Sequence, residues 1–333
     1  MRLEAGRSEA IFSAMQGVRA LVVGDVMLDV YLAGTVSRVS PEAPVPVVRI
    51  SGERYAPGGA ANVAANVAAL GGRCELLGCV GADAAGSRVR EVLASGLARS
   101  VEPRLVEWPD RPTTTKTRVM ARSQQVVRFD REVEDDLPEA CETALLDELA
   151  GRVEEADVLI LEDYDKGVLT PKVIHTALDA AAGAGVPSVV DPKLRHFFCF
   201  GGATVFKPNA LELAAALGQP AVSLADGWLE EARERTGCQH LLLTLGEEGM
   251  ILRCRDGRTV SIPAVAREVY DVSGAGDTVT ATVGLALAVG ATPEEAAVLA
   301  THAAGVEVGR PGVATVSAQE VLGSLREHDD NSR

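Results

Sequence analysis

Asp271-Val272-Ser273-Gly274-Ala275-Gly276-Asp277-Thr278 runs directly into an apolar stretch with helical character, VTATVGLALAV. A glycine-rich turn that opens a helix presents unpaired amide N–H groups at the positive end of the helix dipole. That is an anion site, and phosphate is its natural ligand. A carboxylate there repels the ligand unless it has a task, and Asp277 has one if it takes the proton of an attacking hydroxyl. The plainer alternative is an aspartate that caps a helix in a glycine turn.

Three further constellations carry chemistry. In Lys207-Pro208-Asn209-Ala210-Leu211-Glu212 a strand ends and a helix begins, so Asn209 and Glu212 share one face of a first helical turn. They could hold a hydrated magnesium ion beside a triphosphate, or act as N-cap and N3 of a capping box, and the two roles are compatible. In Pro57-Gly58-Gly59-Ala60-Ala61-Asn62 the paired glycines allow close backbone approach to a small polar ligand, with Asn62 offering a donor and an acceptor one turn later. A simple helix start is the other reading. Lys116, Arg118, Arg122, Arg128 and Arg131 form a basic cluster in a chain whose formal net charge is −15. Lys116 and Arg118 alternate, so a strand would point both at one anion, whereas a solvated surface cluster needs no ligand.

Other routes to nucleotide or hydrolytic chemistry are missing. The sequence has no G-x-x-x-x-G-K-[ST], no G-x-G-x-x-G after its first strand, no H-E-x-x-H and no G-x-S-x-G around Ser273. The six cysteines lack metal-ligand spacing, which points to free thiols in a reducing compartment. The acidic balance argues against nucleic acid as a partner. The first twenty residues lack the apolar core of a signal peptide, and the longest apolar run, 279–291, is shorter than the roughly 20 residues that span a bilayer. A cytoplasmic protein without membrane contact is expected.

These residues need elements to position them. Short apolar runs at 20–26, 74–80, 156–163, 186–191, 203–209 and 240–246 alternate with alanine-rich helical stretches at 59–70, 85–96, 138–154, 171–184, 209–217 and 226–236. This alternation predicts an α/β fold, a mostly parallel sheet with helices on both faces. Most of the runs end in polar residues, Asp25, Asp163, Asp191, Asn209 and Thr244, which predicts one shared site beyond the carboxyl ends of the strands. Residues 31–58 and 111–131 have β-branched alternation and no helical period, so they are expected to be insertions forming a small β lid. No linker divides residues 1–333, and a single domain is expected.

With these residues in view, the chain resembles the ribokinase family of ATP-dependent sugar kinases, of phosphofructokinase-B type, over about residues 20–320. The resemblance is carried by VGDVMLD (23–29), PGGAANVAANVAALGG (57–72), DPK (191–193), KPNALE (207–212), TLGEEG (244–249) and DVSGAGDT (271–278). SRVSPEAPVPVV (37–48), TTTKTRVMARSQQVVRFD (113–130), DYDKG (163–167) and EVYDVSGAGDT (268–278) are similar to the branch that phosphorylates C1 of a heptose 7-phosphate. The resemblance implies a ribokinase-like fold, ATP and Mg²⁺ as cofactors, and Asp277 as catalytic base, with the amides of Gly274, Ala275 and Gly276 as anion hole. It further implies that Asn209 and Glu212 organise Mg·ATP, the metal being held through water. Lys193, Thr244, Gly246 and Gly249 would line the nucleotide, and Asp29, Gly58, Gly59 and Asn62 would hold sugar hydroxyls. It also implies a homodimer through the β lid. Charge alone extends this to Lys116, Arg118 and Arg122 as ligands of the 7-phosphate. Two departures stand out: Glu162 replaces a small polar residue common before DYxKG in that branch, and FKPN replaces TPN. With no H-x-G-H nucleotidyltransferase signature present, the stand-alone kinase form is expected.

Overall fold

The structure is a computed structural model that describes residues 3–95, 100–122, 124–219, 226–265 and 269–331. Gly96 of the expected helix 85–96, Ser123 of the expected insertion 111–131 and Glu268 of the quoted motif lie outside the described residues. The larger of two sheets contains β1 (Arg19–Gly24), β4 (Arg73–Gly81), β5 (Val101–Trp108), β8 (Val158–Glu162), β9 (Ser188–Asp191), β10 (Val205–Phe206), β11 (His240–Thr244), β12 (Met250–Arg253) and β13 (Thr259–Ile262). Their order is β13-β12-β11-β10-β9-β8-β1-β4-β5. Pairing is parallel from β11 through to β5 and antiparallel only where β12 and β13 extend the edge. The smaller sheet is β3-β2-β6-β7, built from β2 (Val26–Val39), β3 (Pro46–Gly59), β6 (Thr114–Ala121) and β7 (Gln124–Arg131).

The helices are α1 (Ala5–Ala14), α2 (Ala60–Ala69), α3 (Ala84–Leu93), α4 (Glu139–Leu149), α5 (Arg152–Glu155) and α6 (Pro171–Ala184). They continue with α7 (Ala210–Leu217), α8 (Asp226–Thr236), α9 (Ala275–Ala288), α10 (Pro293–Glu307) and α11 (Ala318–Asn331). Strand alternation feeds two cores. Ala20, Val22, Val158 and Ile160 pack with α2, α9 and α10, while Leu21, Val23, Leu159 and Leu161 pack with α4, α6 and α8 on the other face. Because both faces are covered, β8 is buried along its whole length, and this is why these strands read as continuous apolar runs.

Several sequence expectations shift. The run 20–26 is not one strand: β1 stops at Gly24, Asp25 interrupts, and Val26 already belongs to the second sheet. The insertions therefore reach further than expected, to 26–59 on one side. The run 203–209 shortens to two strand residues, and 138–154 divides into α4 and α5 at Gly151, which is left-handed. Strand β5, the edge pair β12–β13 and helices α1, α10 and α11 were not anticipated, although α10 opens on a capping box of Thr292 and Glu295 with Pro293 between them.

Connections from β1 lead toward β4 on one side of the sheet, whereas β8 and β9 lie on the other. Open α/β sheets bind ligands at such a switch point, beyond the carboxyl ends of the strands. Asp25 follows β1, Glu162 ends β8 with Asp163 next to it, and Asp191 ends β9 at that point.

Candidate active site

Helix α9 packs against α2, β8 and β9, which brings its first turn over the strand ends. Gly274 is its N-cap, with φ 96°, a left-handed conformation that an L side chain adopts only at a cost, and no side chain caps the turn. No side chain takes up the first-turn amides of α9, so that turn can face an anion, although the Ala275 amide donates to the Val272 carbonyl at a long 3.4 Å. Asp277, in that turn, is buried, yet it does not point into apolar packing. Its Oδ2 accepts from Asn62 Nδ2 at 2.6 Å and its Oδ1 from the Tyr164 hydroxyl at 2.8 Å. Burial raises its pKa to about 6, opposed by these two hydrogen bonds. A carboxylate poised there is a stronger base than a solvated one and is still ionised at neutral pH.

Each partner of Asp277 is itself held. Asn62, fully buried on α2, also engages Asn66, whose Nδ2 donates to the Asn62 carbonyl at 3.0 Å, and Thr278 donates to Asn66 Oδ1. The resemblance implies Asn62 as a ligand of a sugar hydroxyl. In the structure its amide donates to Asp277, because α2 packs directly on α9. Tyr164 follows β8, in a loop fixed by Asp25, whose carboxylate accepts from the amides of Tyr164, Lys166 and Val168 at 2.8, 2.9 and 3.1 Å. Burial raises the Asp25 pKa while those amides lower it. Tyr164 carried no signal of its own beyond its place in DYDKG after a strand end. Tyr164→Phe is expected to remove one stabilising donor from the Asp277 carboxylate and so move the acid limb of kcat/KM to higher pH. A profile recorded against wild type checks this, and an unmoved limb would show that the hydroxyl does not act on Asp277.

Behind the turn lies a buried charge cluster. Lys207 Nζ is 2.7 Å from Asp191 Oδ2, and burial lowers the Lys207 pKa while Asp191 and Glu162 outweigh that and raise it. Lys193 pairs with Glu212 Oε1. Asn209 Oδ1 accepts from the Glu212 amide at 2.8 Å, and Glu212 Oε2 from the Asn209 amide at 2.9 Å. The capping box is thus present at the start of α7. Each of these oxygens accepts a hydrogen bond and keeps a second lone pair, so this oxygen-only donor set fits a hydrated magnesium ion held through its waters. Thr244 bridges Asn209 across the strand ends. Gly246 and Gly249 bound a short 3₁₀ turn that Leu245 and Gly249 close at 2.8 Å.

The second sheet adds the remaining residues. Gly58 pairs with Met27 in the β2–β3 ladder. Gly59 has φ 57°, and a Cβ there would lie 2.3 Å from the Asp25 carbonyl oxygen, so glycine is required where β3 turns into α2. Asp29 and Arg118 form a buried ion pair; burial raises the Asp29 pKa and Arg118 opposes it. Lys116 stands opposite Asp29 on β6, with its Nζ 5.1 Å from the centre of the Tyr164 ring. Burial lowers its pKa. Lys193 Nζ lies 5.2 Å from the same ring centre. Lys116 and Arg118 therefore do share a face, as the alternation requires. Arg122 is not brought to them. It sits exposed on the turn between β6 and β7 with φ 57°, its amide bonded to the Gly34 carbonyl at the far end of the ladder.

The pfkB family carbohydrate kinase model matches residues 19–320. Among curated proteins, the chain is 46% identical over 324 residues to "Bifunctional protein HldE" of Caulobacter sp. (strain K31), covering 95% of this chain and 65% of that protein. It is 46% identical over 307 residues to the protein of the same name from Azorhizobium caulinodans, covering 91% and 64%. The chain thus spans slightly less than two thirds of the length of these relatives. Two solved structures share the fold: Arabidopsis thaliana ribokinase complexed with ribose and ATP, at TM-score 0.73 and 20% identity, covering 93% of this chain and 99% of that one. The other is Escherichia coli phosphofructokinase-2 in complex with potassium, at TM-score 0.76 and 20% identity, covering 94% and 99%. Among the described residues no helix is long and apolar enough to cross a membrane. With a family match that spans most of its length and a carboxylate held at the mouth of an open helical turn, the chain belongs to the pfkB family of carbohydrate kinases.

Proposed function

We propose that this chain transfers the γ-phosphoryl group of ATP to the C1 hydroxyl of D-glycero-β-D-manno-heptose 7-phosphate, giving the 1,7-bisphosphate, a precursor of ADP-heptose. The observation that carries the kinase chemistry is Asp277, buried in the first turn of α9 and held by Asn62 and Tyr164. In this reading Asp277 accepts the proton of the attacking hydroxyl, and the amides of Gly274, Ala275 and Gly276 grip the migrating phosphoryl group. An anomeric hydroxyl is more acidic than an ordinary alcohol, so a carboxylate with a pKa of about 6 suffices. Asn209 and Glu212 would hold a magnesium ion through its waters, and the ion would supply charge neutralisation for the phosphates. Lys193, Thr244, Gly246 and Gly249 line the nucleotide side, while Asp29, Gly58 and Gly59 face the sugar.

The heptose 7-phosphate reading rests on the segments 37–48, 113–130 and 163–167 and on the relatives at 46% identity. Lys116 supports it physically: among the described residues no carboxylate lies within ion-pair distance of its ammonium, which leaves it available to a phosphate beside the Asp29–Arg118 pair. The second sheet acts as the lid over this site. Its exposed Val36, Val39, Ile50, Val127 and Phe129 support a homodimer formed through it. A coupled ADP-release assay tests the substrate: heptose 7-phosphate should exceed unphosphorylated heptose, ribose, adenosine and fructose 6-phosphate in kcat/KM, and Lys116→Met should erase the preference for the 7-phosphate. Equal rates with and without that phosphate would refute the assignment.

A further inference from the structure

Tyr31 stands on β2, two residues after Asp29 and on the same face of the second sheet. It is buried, and two guanidinium groups approach its ring, the carbon of Arg54 at 4.1 Å and that of Arg118 at 5.3 Å from the centre. Both arginines are its register partners, on β3 and β6, so the three form one row across the sheet. Arg118 also pairs with Asp29, which ties this row to the side of the site that faces the sugar. The Tyr31 hydroxyl reaches off the sheet. It accepts from the amide of Val313, 282 positions away in the loop between α10 and α11, at 3.0 Å. That loop touches the lid and the anion turn at once. Gly312 has φ 68°, and a Cβ there would lie 2.7 Å from Arg54 Nη2 and 3.1 Å from the Tyr31 ring, so the close approach needs glycine. The Gly312 amide donates to Asp271 Oδ2 at 3.0 Å, and Asp271 Oδ1 accepts from the Ser273 amide at 3.0 Å. On its other side the loop packs against the N-cap of α9, since a Cβ on Gly274 would lie 3.4 Å from Val313 Cγ1.

We propose that Tyr31 is a positioning residue that couples the two substrates, its hydroxyl bracing the 310–314 loop, and through Asp271 the anion turn, while the lid lies over the sugar. Coupling between separate sites is carried by hydrogen bonds and packed groups that have two arrangements, and this bridge has both. A lid that lifts takes Tyr31 with it, breaks the bond to Val313 and leaves the loop and the Gly274 turn less firmly held. A sugar that draws the lid down through Asp29 restores the bond. Sugar and nucleotide then each bind more tightly in the presence of the other, and by one shared factor, because coupling between two binding equilibria is reciprocal. Tyr31 itself touches neither substrate. The inference deepens the proposed kinase function and rests on it, since it needs a sugar beneath the lid and a phosphoryl group at the first turn of α9.

Calorimetric titration of AMP-PNP with Mg²⁺, in the absence and presence of saturating heptose 7-phosphate, measures the shared factor. Wild type is expected to bind AMP-PNP about tenfold more tightly with the sugar, inside the range usual for coupled sites. Tyr31→Phe keeps the ring and its arginine contacts and removes only the acceptor. It should reduce the enhancement to less than about twofold while changing the affinity for AMP-PNP alone far less, and the reverse titration of sugar should lose the same factor. In turnover, KM for ATP at saturating sugar should rise by that factor with little change in kcat, a split that simple loss of stability does not produce. Wild-type protein without the enhancement, or a Tyr31→Phe protein that keeps it in full, would overturn the coupling. If heptose 7-phosphate does not bind wild type, the sugar assignment falls and the bridge is judged without it. The structure holds the Tyr31–Val313 bond with no ligand present, so hydrogen exchange at Gly312 and Val313 in the ligand-free protein should be faster in Tyr31→Phe than in wild type. Equal exchange would overturn the bridge itself.

Discussion

Asp277→Asn is expected to lower kcat by about 10²–10⁴-fold, the range that a positioned general base contributes, with the KM for ATP nearly unchanged. The amide is close in shape and can still accept from Asn62 and meet Tyr164, so the fold around α9 is retained and only the proton acceptor is lost. The pH dependence separates this from a general disturbance. Burial holds the carboxyl pKa at about 6, so wild-type kcat/KM should rise with pH and level off above that value, some two units higher than for a solvated aspartate. Residual turnover of the variant should lack that limb. The sign for stability is opposite. Because the folded-state pKa is raised, the contribution of this group to stability is fully present below the ordinary aspartate range and is lost as pH rises through about 6. The variant should therefore unfold at neutral pH at a denaturant concentration no lower than wild type. Near-normal turnover would remove Asp277 from the role of base, and a large loss of stability would reassign it to a structural one.

Lys207→Met is expected to cost about 3–5 kcal/mol of stability, the penalty for stranding a buried charge when its partner is removed. Lys207 is almost wholly buried and sits 2.7 Å from Asp191, which lies within reach of Glu162 and Asp277. Methionine restores the apolar stem and removes only the ammonium, so packing loss contributes little. With that cation gone, the mutual repulsion of the remaining carboxyl groups should raise the pKa of Asp277, since Lys207 now lowers it. The acid limb of any residual activity should then move to higher pH. Urea unfolding measures the stability change, and a double-mutant cycle with Asp191→Asn apportions it: the second substitution should recover a large part of the loss. A loss below about 1 kcal/mol, the value typical of an exposed ion pair, would mean that the pair is solvated in solution.

Much of this protein was legible in its sequence, and the reason differs from part to part. The parallel sheet was readable because strands covered on both faces must be apolar throughout, as in Val158–Glu162, and because alanine-rich helices separate them. The turn at Gly274 was readable because only glycine adopts its backbone conformation freely before a helix. The polar residues at the strand ends, Asp25, Asp163 and Asp191, were recognisable as one site because such sheets collect their ligands there. Edge elements such as β12 and β13 gave no such pattern, since each is only four residues long and its pairing is decided by a neighbour rather than by its own composition.

Local sequence thus determined which residues carry the chemistry, but contacts between distant segments decided what each one does. Asn62 and Asp277 are 215 positions apart, and Tyr164 and Asp277 are 113 apart, so no spacing rule could pair them. The packing of α2 on α9 brought Asn62 against the carboxylate it holds. The ladder between β2 and β6 placed Lys116 and Arg118 beside Asp29 and carried Arg122 to the opposite end, although all three lie within seven residues of one another in the chain. Charge in a sequence has no depth. Only burial made Glu162, Asp191 and Lys207 a tightly coupled cluster, because the cost of a charge arises when water is excluded from it.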